Sequence, residues 1–404
     1  MSIVLDPSSQ TFADNPYPVY EQLREQEEPY PFSDLLLLSR FEDVEAAARN
    51  PSLVRTTDSF MSKEQQLDEQ KAANWHDMPN HERFVQFSML DSDGPVHDRL
   101  RRLVMKHMSR RFVEKQRTMI ETFVSQLLDQ LLETKEIDFA ADLACHVPGH
   151  IIGSLLGVPD EDCEQLRVWS ENVVQYFDLN RSNEKKKLAE QSTTEFSIFL
   201  DDLIRQRRQR PQDDLVSALV LENQTGALSE TELISTCMLI LMAGHGSTID
   251  VLGTGLLQLL TNPMQFEQLR SAPGLMPKAV QEMFRIDSPL PFFHRFSSES
   301  VEVMGQNFPA GTKFGLLYGS ANRDPRAFEE PDKFQPNRDP NRHIAFGRGA
   351  HLCLGNHLSR LDMEVIFNML MDRTRSIELI EKPKFRTGLA SRGLTQLKIR
   401  LLPN

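Results

Sequence analysis

The sequence predicts a mainly α-helical fold with a minor β part, arranged as a single domain over residues 1–404. Long segments repeat apolar residues at three- and four-residue spacing, as helices do when they bury one face. Strand patterns are few, and no stretch rich in Gly, Ser or Pro is long enough to separate two domains. We therefore expect one large helix-rich domain.

The predicted helices follow one another from the N-terminus. Amphipathic patterns occur in "VYEQLREQ", "FEDVEAAARN" and "EKQRTMIETFVSQLLDQLLET". Further helices are expected over 148–156, 161–177, 190–208 and 230–260.

Three regions have strand character: "PYPFSDLLLLSR", "VEVMGQNFPAGTKFGLLYGS" and "LTQLKIRLL". In the middle region, residues 301–306 and 312–318 flank a Pro-Ala-Gly segment. This arrangement predicts a hairpin with its turn at that segment.

Charge and hydropathy limit the classes of partner. A net charge of −13 argues against nonspecific binding to nucleic acid, whose phosphates attract a basic surface. The first twenty residues lack the apolar centre of a secretory signal, and polar residues interrupt the most apolar region, 233–260. The composition predicts a cytoplasmic protein without a membrane or nucleic-acid partner.

The four cysteines are widely separated and form no CxxC pair, so neither a zinc site of the usual spacing nor a disulfide framework is indicated. Three of them are expected to pack as small apolar residues. Cys353 differs because it lies in "FGRGAHLCLG", which has three glycines in ten residues.

The chemistry of this segment favours a bound iron. A cysteine thiolate can hold iron, and backbone N–H groups tune its donor strength. Gly347, Gly349 and Gly355 allow tight turns around the sulfur and close approach to a flat group. The helical pattern that follows puts Cys353 near a helix N-terminus, which favours the thiolate. His351 could donate a hydrogen bond to a carboxylate of the bound group.

The string Phe346, Gly347, Gly349, His351, Cys353 and Gly355 resembles the haem-binding signature of cytochrome P450, F-G-x-G-x-H-x-C-x-G, at every fixed position. The resemblance implies the single-domain cytochrome P450 fold, with a long central helix over the haem. It also implies haem b as the cofactor and Cys353 as the axial ligand of its iron.

Other motifs in the expected order extend the resemblance over nearly the whole chain. "EMFR" is similar to the family's E-x-x-R, which implies an ion-pair network of Glu282 and Arg285, with Arg338 from "PDKFQPNR" as third member. Cationic or donor groups for the haem propionates are implied at His97, Arg101 and Arg295, together with His351.

The central helix carries "LMAGHGSTID", where the match to the family departs. Ala243 and Gly244 match the pattern Ala/Gly-Gly-x-acid-Thr, Gly246 replaces the acid and Ser247 replaces the threonine, with Thr248 next. In the family, the hydroxyl steadies activated oxygen and the acid helps to bring protons. We expect Ser247 and ordered water to move protons, with Asp250 as an outer relay.

Substrate contacts are implied where the family's chain passes the haem: Leu290, Phe292, Phe293, Leu389 and Ala390. They suggest a small apolar substrate, aromatic or terpenoid in character. Six further apolar residues either line a cavity or form a satellite core: Phe60, Trp75, Met78, Phe84, Phe87 and Met89.

The segment from Arg99 to Arg111 holds six basic residues and no acid: Arg99, Arg101, Arg102, Lys106, Arg110 and Arg111. In a chain of this negative net charge, such a basic segment suits an acidic electron donor. We expect a separate ferredoxin-type protein to dock there.

The implied activity is that of a haem-thiolate monooxygenase, with hydroxylation, epoxidation and oxidative dealkylation all open. Because Gly246 replaces the acid, a peroxide-using peroxygenase or another atypical oxidation is the alternative. A non-catalytic haem sensor or carrier is a third reading, which the lack of an accompanying signalling module disfavours.

Overall fold

A computed structural model describes residues 3–177 and 181–404. Helices dominate and the strands are short, so the predicted class, mainly α with a minor β part, is confirmed. The chain divides into two compact units, each discontinuous in sequence. The first unit comprises Met1–Leu53, Val113–Val147 and Ser247–Asn404, and the second comprises Val54–Phe112 and Pro148–Gly246. The prediction of a single domain stays a prediction.

The α-helices are numbered in chain order. They are α1 (Gln10–Asp14), α2 (Tyr17–Arg24), α3 (Phe41–Arg49), α4 (Lys63–Ala72), α5 (Pro79–His81), α6 (Gly94–His107), α7 (Arg110–Glu114), α8 (Arg117–Thr134), α9 (Val147–Leu156), α10 (Cys163–Val174), α11 (Asn183–Gln209), α12 (Leu215–Gln224), α13 (Glu230–Thr261), α14 (Pro263–Ser271), α15 (Met276–Ile286), α16 (Tyr318–Ala321) and α17 (Asn356–Arg373). The helices predicted over 148–156, 161–177, 190–208 and 230–260 correspond to α9, α10, α11 and α13.

The strands are β1 (Tyr30–Phe32), β2 (Leu35–Leu38), β3 (Leu53–Val54), β4 (Glu136–Asp138), β5 (Phe293–Ser297), β6 (Val301–Val303), β7 (Gln306–Phe308), β8 (Lys313–Leu316), β9 (Thr374–Leu379), β10 (Lys384–Phe385), β11 (Leu394–Gln396) and β12 (Lys398–Pro403). The main sheet has the order β1-β2-β8-β5-β3, and a second sheet has the order β4-β12-β9. Two hairpins, β6-β7 and β10-β11, complete the β part.

The predicted middle hairpin is wrong in its turn. β6 pairs with β7, with Val303 opposite Gln306, so the turn lies at Met304 and Gly305. Both residues have positive φ, 51° and 75°, as a two-residue turn of matching twist requires. β8, the expected partner, instead joins the main sheet beside β5 and β2.

In the first unit, α17 packs against α8 and α15. An apolar cluster that includes Leu38, Val44, Phe314 and Ile344 lies against the main sheet. These contacts hold the segment before α17, which carries the candidate site.

In the second unit, the structure favours a satellite core for most of the apolar residues whose role was left open. Met78 clusters with Tyr176 and Ala189, and Trp75 packs against them. Phe84 and Met89 are also buried, whereas Phe87 is 59% exposed.

Two helical stretches, Phe139–Leu156 and Glu230–Thr261, are long and apolar enough to cross a membrane. In their most apolar windows, 56% and 67% of the residues are buried within the protein. Core helices of soluble proteins pass the same test, so these stretches are weak indicators of a membrane span.

Candidate active site

Cys353 lies on a tight loop of the first unit, between a 3-10 turn at Gly349–His351 and α17. Its backbone N–H donates to the carbonyl of Phe346 at 2.8 Å, which closes the loop. Gly347 and Gly349 have φ of +72° and +70°, a conformation that strongly favours glycine. The predicted tight turns around the thiol are therefore present.

The glycines of this loop serve different purposes. A Cβ at Gly349 would come 2.5 Å from the carbonyl oxygen of Ala48, so this glycine lets the loop approach α3. A Cβ at Gly355 would meet no atom within 4 Å. Because Gly355 has no side chain, a flat group can approach the backbone closely beside the thiol of Cys353.

Cys353 is the exposed member of the four cysteines. Burial raises the pKa of Cys163 to about 11 and that of Cys237 to about 12, so both remain thiols at neutral pH. Cys353 instead lies three residues before the first residue of an 18-residue helix, where amide dipoles favour an anionic sulfur. An exposed cysteine near a helix N-terminus is suited to bind a haem iron as a thiolate.

The side chain of Phe346, at the start of the cysteine loop, packs against an aromatic ring and a guanidinium group. The ring of Phe346 lies 4.4 Å from that of Phe284 on α15, and the guanidinium of Arg360 lies 4.6 Å from the centre of the Phe346 ring. Burial lowers the pKa of His343 to about 3, so this histidine is neutral; its Nε2 lies 3.0 Å from Oε1 of Gln281.

The E-x-x-R motif forms a buried network. Arg285 contacts both carboxylate oxygens of Glu282, at 2.7 and 2.8 Å, and both side chains are fully buried. Arg338 Nε lies 3.1 Å from each of the same oxygens. Arg285 also donates to the carbonyls of Asn322 and Pro331 at 2.8 and 2.7 Å. The structure thus brings the three predicted members together.

Asn322 connects this network to the cysteine loop, a link that the sequence motifs did not indicate. Its carbonyl accepts from Arg285, and its Oδ1 accepts from the backbone N–H of Ile344 at 2.7 Å. Its Nδ2 donates to Ser288 Oγ at 2.8 Å. The side chain is fully buried, so it ties α15 to the chain entering the loop.

The predicted propionate ligands are distributed over both units. In the first unit, Arg295 is buried on β5 and donates to the carbonyl of His294 at 2.9 Å, and His351 is half-buried. In the second unit, His97 is buried on α6 and Arg101, one turn later, is half-buried. Nδ1 of His97 lies 3.3 Å from a carboxylate oxygen of Asp98.

The two glycines of the central helix differ in their surroundings. α13 is continuous through Ala243–Thr248. A Cβ at Gly244 would overlap Ile152 of α9, whereas a Cβ at Gly246 would meet no atom within 4 Å. Gly244 therefore lets Ile152 pack closely against α13, and Gly246 leaves open space where the resemblance implies an acid. Between them, His245 is buried, with its Nε2 3.9 Å from Glu171.

In the first unit, α13 continues with the predicted hydroxyls. Ser247 is half-buried, and Thr248 is buried with its Oγ1 3.2 Å from the hydroxyl of Ser359 on α17. Asp362, one turn after Ser359, is buried and its pKa is raised by desolvation. Neither Ser359 nor Asp362 was among the predicted site residues, because no motif contains them.

Asp250 is buried and forms an ion pair with Arg386, whose Nη2 lies 3.3 Å from its carboxylate. A Cβ at Gly393 would overlap the same carboxylate. Desolvation raises the pKa of Asp250 to about 6, and Arg386 partly offsets that effect. These contacts tie α13 to the segment between β10 and β11.

The predicted substrate residues are mostly packed within the first unit. Leu389 belongs to an apolar cluster with Tyr20 and Leu37, and Phe292 packs against that cluster. Phe293 makes an edge-on contact with Tyr318. Leu290 and Ala390 are half-buried.

Acidic neighbours partly neutralise the basic segment on α6 and α7. Arg99 pairs with Glu232 at 2.5 Å, and Lys106 pairs with Glu222 at 3.0 Å. Within the described ranges, no carboxylate pairs with Arg102, Arg110 or Arg111, and all three are exposed. The uncompensated positive charge is thus smaller than the sequence indicates.

Comparison with known proteins identifies the class of this site. The family model "Cytochrome P450" matches residues 53–272 and 274–389. The polyketide biosynthesis cytochrome P450 PksS of Bacillus subtilis is 34% identical over 412 residues, covering 99% of each chain. The biotin biosynthesis cytochrome P450 of the same organism is 32% identical over 405 residues, again covering 99% of each.

A solved structure supports the same assignment. The crystal structure of P450BioI in complex with a hexadec-9Z-enoic acid-ligated acyl carrier protein matches with a TM-score of 0.87 and 31% identity. The match covers 97% of this chain and 100% of that one.

Proposed function

This chain belongs to the cytochrome P450 family of haem b-dependent monooxygenases, and from that premise we propose that it inserts one oxygen atom from O2 into a small apolar substrate in the cytoplasm. The electrons come from a separate ferredoxin-type protein. The reaction is a hydroxylation, an epoxidation or an oxidative dealkylation.

The observation that carries the proposal is the loop of Cys353. Its closed backbone, its exposed cysteine at a helix N-terminus and the bare backbone at Gly355 suit a thiolate ligand to haem iron. When bound, such a haem activates dioxygen, because the thiolate donates electron density that favours O–O cleavage. The buried Glu282 network and Asn322 hold the loop in place.

Other residues bind the haem propionates or carry protons to the oxygen site. Arg295, His351, His97 and Arg101 supply positive charge or hydrogen bonds to the haem carboxylates. Ser247 supplies a hydroxyl with one donor and two acceptor sites, and ordered water reaches it beside Gly246. Ala243 keeps the haem-facing surface of the helix small, and Gly244, the other residue implied there, packs against Ile152 instead.

Further along α13, Thr248 contacts Ser359 and offers a second hydroxyl to the proton path. Asp250 is engaged with Arg386, so its role as an outer relay needs that ion pair to open. We keep Leu290, Phe293 and Ala390 as substrate contacts, while Phe292 and Leu389 support them from the adjoining core.

The peroxide-using alternative rests on one observation, the open space at Gly246 where an acid is expected. Without that acid, protons for oxygen activation must come through water and hydroxyls alone. Hydrogen peroxide brings its own protons and electrons, so a peroxygenase would not need the acid.

The test is product formation in isotopically labelled dioxygen, with a ferredoxin, its reductase and a panel of terpenoid, aromatic and fatty-acyl compounds. Compounds are first selected by the spectral change that displacement of water from ferric haem causes. We expect one labelled oxygen atom in the product and lower coupling of electrons to product in Ser247→Ala. Turnover with unlabelled peroxide but none with dioxygen would replace the proposal by the peroxygenase alternative.

A further inference from the structure

The joint between α9 and α10 brings three metal-binding side chains together in the second unit. His150 lies on α9, Asp160 lies in the 3-10 turn Asp160–Asp162, and Cys163 begins α10. One ligand atom from each lies within 4.8 Å of the other two. We call these residues the α9–α10 cluster; it shares no residue with the site described above.

The spacing of this cluster is close to that of a metal site. In tetrahedral zinc sites, bond lengths of 2.0–2.3 Å put neighbouring ligand atoms about 3.3–3.8 Å apart. Nδ1 of His150 lies 3.7 Å from Oδ1 of Asp160, so this pair already has such a separation. The sulfur of Cys163 lies within 4.8 Å of both of these atoms.

Gly153 allows the sulfur to lie against α9. A Cβ at position 153 would come 2.6 Å from Sγ of Cys163, so any larger residue would displace the thiol. Because Gly153 follows His150 by one helical turn, thiol and imidazole lie over the same face of α9. The sulfur donates a long hydrogen bond to the carbonyl of Pro159, at 3.6 Å.

The local charge favours a cation. Asp160, Glu161 and Asp162 are consecutive acids, and in the described part of the chain none of them pairs with a lysine or arginine. Burial, and to a smaller extent the charge of these acids, raises the pKa of the Cys163 thiol, so a metal must displace one proton from the sulfur. Nitrogen, oxygen and sulfur donors together suit zinc better than magnesium or calcium, which prefer oxygen alone.

We propose that the α9–α10 cluster binds one zinc ion, with His150, Asp160 and Cys163 as ligands and water in the fourth position. The ion links α9 to the start of α10. It replaces the weak hydrogen bond from the thiol to Pro159 and compensates the three acids.

The test is equilibrium dialysis of the haem-loaded protein against micromolar Zn2+, with zinc and haem quantified in each sample. We expect one tightly bound zinc per haem in the wild type. His150→Asn, Asp160→Asn and Cys163→Ser should each weaken binding by at least about tenfold, since each removes a ligand.

Two matched controls show whether a loss of zinc binding is specific to the three ligands of the α9–α10 cluster. Asp162→Asn removes a neighbouring acid that is not a ligand, and Cys145→Ser removes another cysteine; both should still bind one zinc per haem. A second readout is alkylation of Cys163, which Zn2+ should slow in the wild type and in both controls.

Two results would overturn the proposal: a wild type that takes up no zinc at micromolar concentration, or zinc binding that is equal in the wild type and all three ligand variants. The haem spectrum of each variant shows whether it is folded. If Cys163→Ser does not fold, the variants at the half-buried His150 and the exposed Asp160, His150→Asn and Asp160→Asn, decide the question.

Discussion

At the residue scale, two glycines of α13 that look alike in sequence have opposite structural roles. Gly244 faces Ile152, which occupies the place where its Cβ would lie, and Gly246 faces open space. In a helix interior, glycine costs up to about 1 kcal/mol relative to alanine. Packing against Ile152 explains that cost at Gly244, whereas no protein atom requires a glycine at Gly246.

Alanine substitutions should therefore change stability in opposite directions. Gly244→Ala should lower the free energy of unfolding by about 1–3 kcal/mol, because the methyl group displaces a buried isoleucine. Gly246→Ala should raise it by up to about 1 kcal/mol, because helix propensity improves and nothing is displaced. Urea unfolding, monitored by the circular dichroism signal of the helices, measures the free energy of unfolding of each variant. Equal effects of the two substitutions would show that the packing at Ile152 is not as described.

Asp250 provides a pH-dependent prediction at the same scale. Its folded-state pKa of about 6 lies above the ordinary 3.8, so folding favours the protonated form. Its stabilising contribution is complete below pH 4 and is lost as the pH rises through 6, a change of about 3 kcal/mol. Asp250→Asn cannot ionise, so its stability relative to the wild type should grow over this range.

Thermal unfolding of both proteins at several pH values between 4 and 7.5 measures that difference. Asp34→Asn, an exposed carboxyl paired with Lys313, is the control, and its difference from wild type should stay small. A constant difference between Asp250→Asn and wild type across the range would mean that Asp250 is not desolvated.

At the scale of elements, α15 and the cysteine loop are coupled by polar groups that lie far apart in sequence. Glu282, Arg285 and Arg338 form the buried ion pairs, and Asn322 extends them to Ile344. A buried ionic network of this kind adds little net stability but leaves costly unpaired groups when one member is removed. Its contribution here is to hold the loop of Cys353.

Removing the Asn322 side chain should uncouple the loop. Asn322→Ala leaves the buried N–H of Ile344 unpaired and removes the hydrogen bond that Ser288 Oγ accepts, which should cost about 1–3 kcal/mol. Haem should then dissociate faster, as measured by transfer to an excess of apomyoglobin. Asn262→Ala, which removes a half-buried hydrogen bond to Gln258, is the control and should leave haem transfer unchanged. Similar transfer rates in both variants would argue against a positioning role.

The basic segment on α6 and α7 makes a prediction about partner binding. Arg99 and Lys106 are already paired with acids, whereas Arg102, Arg110 and Arg111 are exposed and, in the described part of the chain, form no ion pair, so these three should contribute most to attracting an acidic donor. Arg102→Glu combined with Arg110→Glu should slow reduction by a ferredoxin at least about tenfold at low salt, and less at high salt.

Stopped-flow reduction at several ionic strengths measures that effect. Arg210→Glu, an exposed charge at the end of α11, serves as the control and should change the rate little. Equal slowing by the control, or no dependence on salt, would remove the segment as the docking site.

The long helices could be predicted from the sequence, whereas the pairing of some strands could not. The long helices follow from apolar periodicity, which is local in sequence. The hairpin at β6 was misplaced because both Met304–Gly305 and Pro309–Gly311 carry turn residues, and pairing of β8 with β2 and β5 decides between them. The pairing of β8 with β2 joins residues that are hundreds of positions apart.

For the whole molecule, the haem-binding loop could be predicted because its constraints are contained in ten consecutive residues. The contacts of Asn322, Ser359 and Arg386 could not, since each joins segments distant in the chain. Likewise, the open space at Gly246 and the filled space at Gly244 depend on which neighbours α13 meets. The sequence identifies the class of chemistry, and the fold identifies which residues support it.

The central claim is that Cys353 is the thiolate ligand of the haem iron, and the spectrum of the reduced carbon monoxide complex tests it most directly. The wild type should show the red-shifted absorption that a thiolate ligand causes. Cys353→Ser should lose it, whereas Cys145→Ser should keep it. A Cys353→Ser protein with the thiolate-type spectrum of the wild type would contradict the claim.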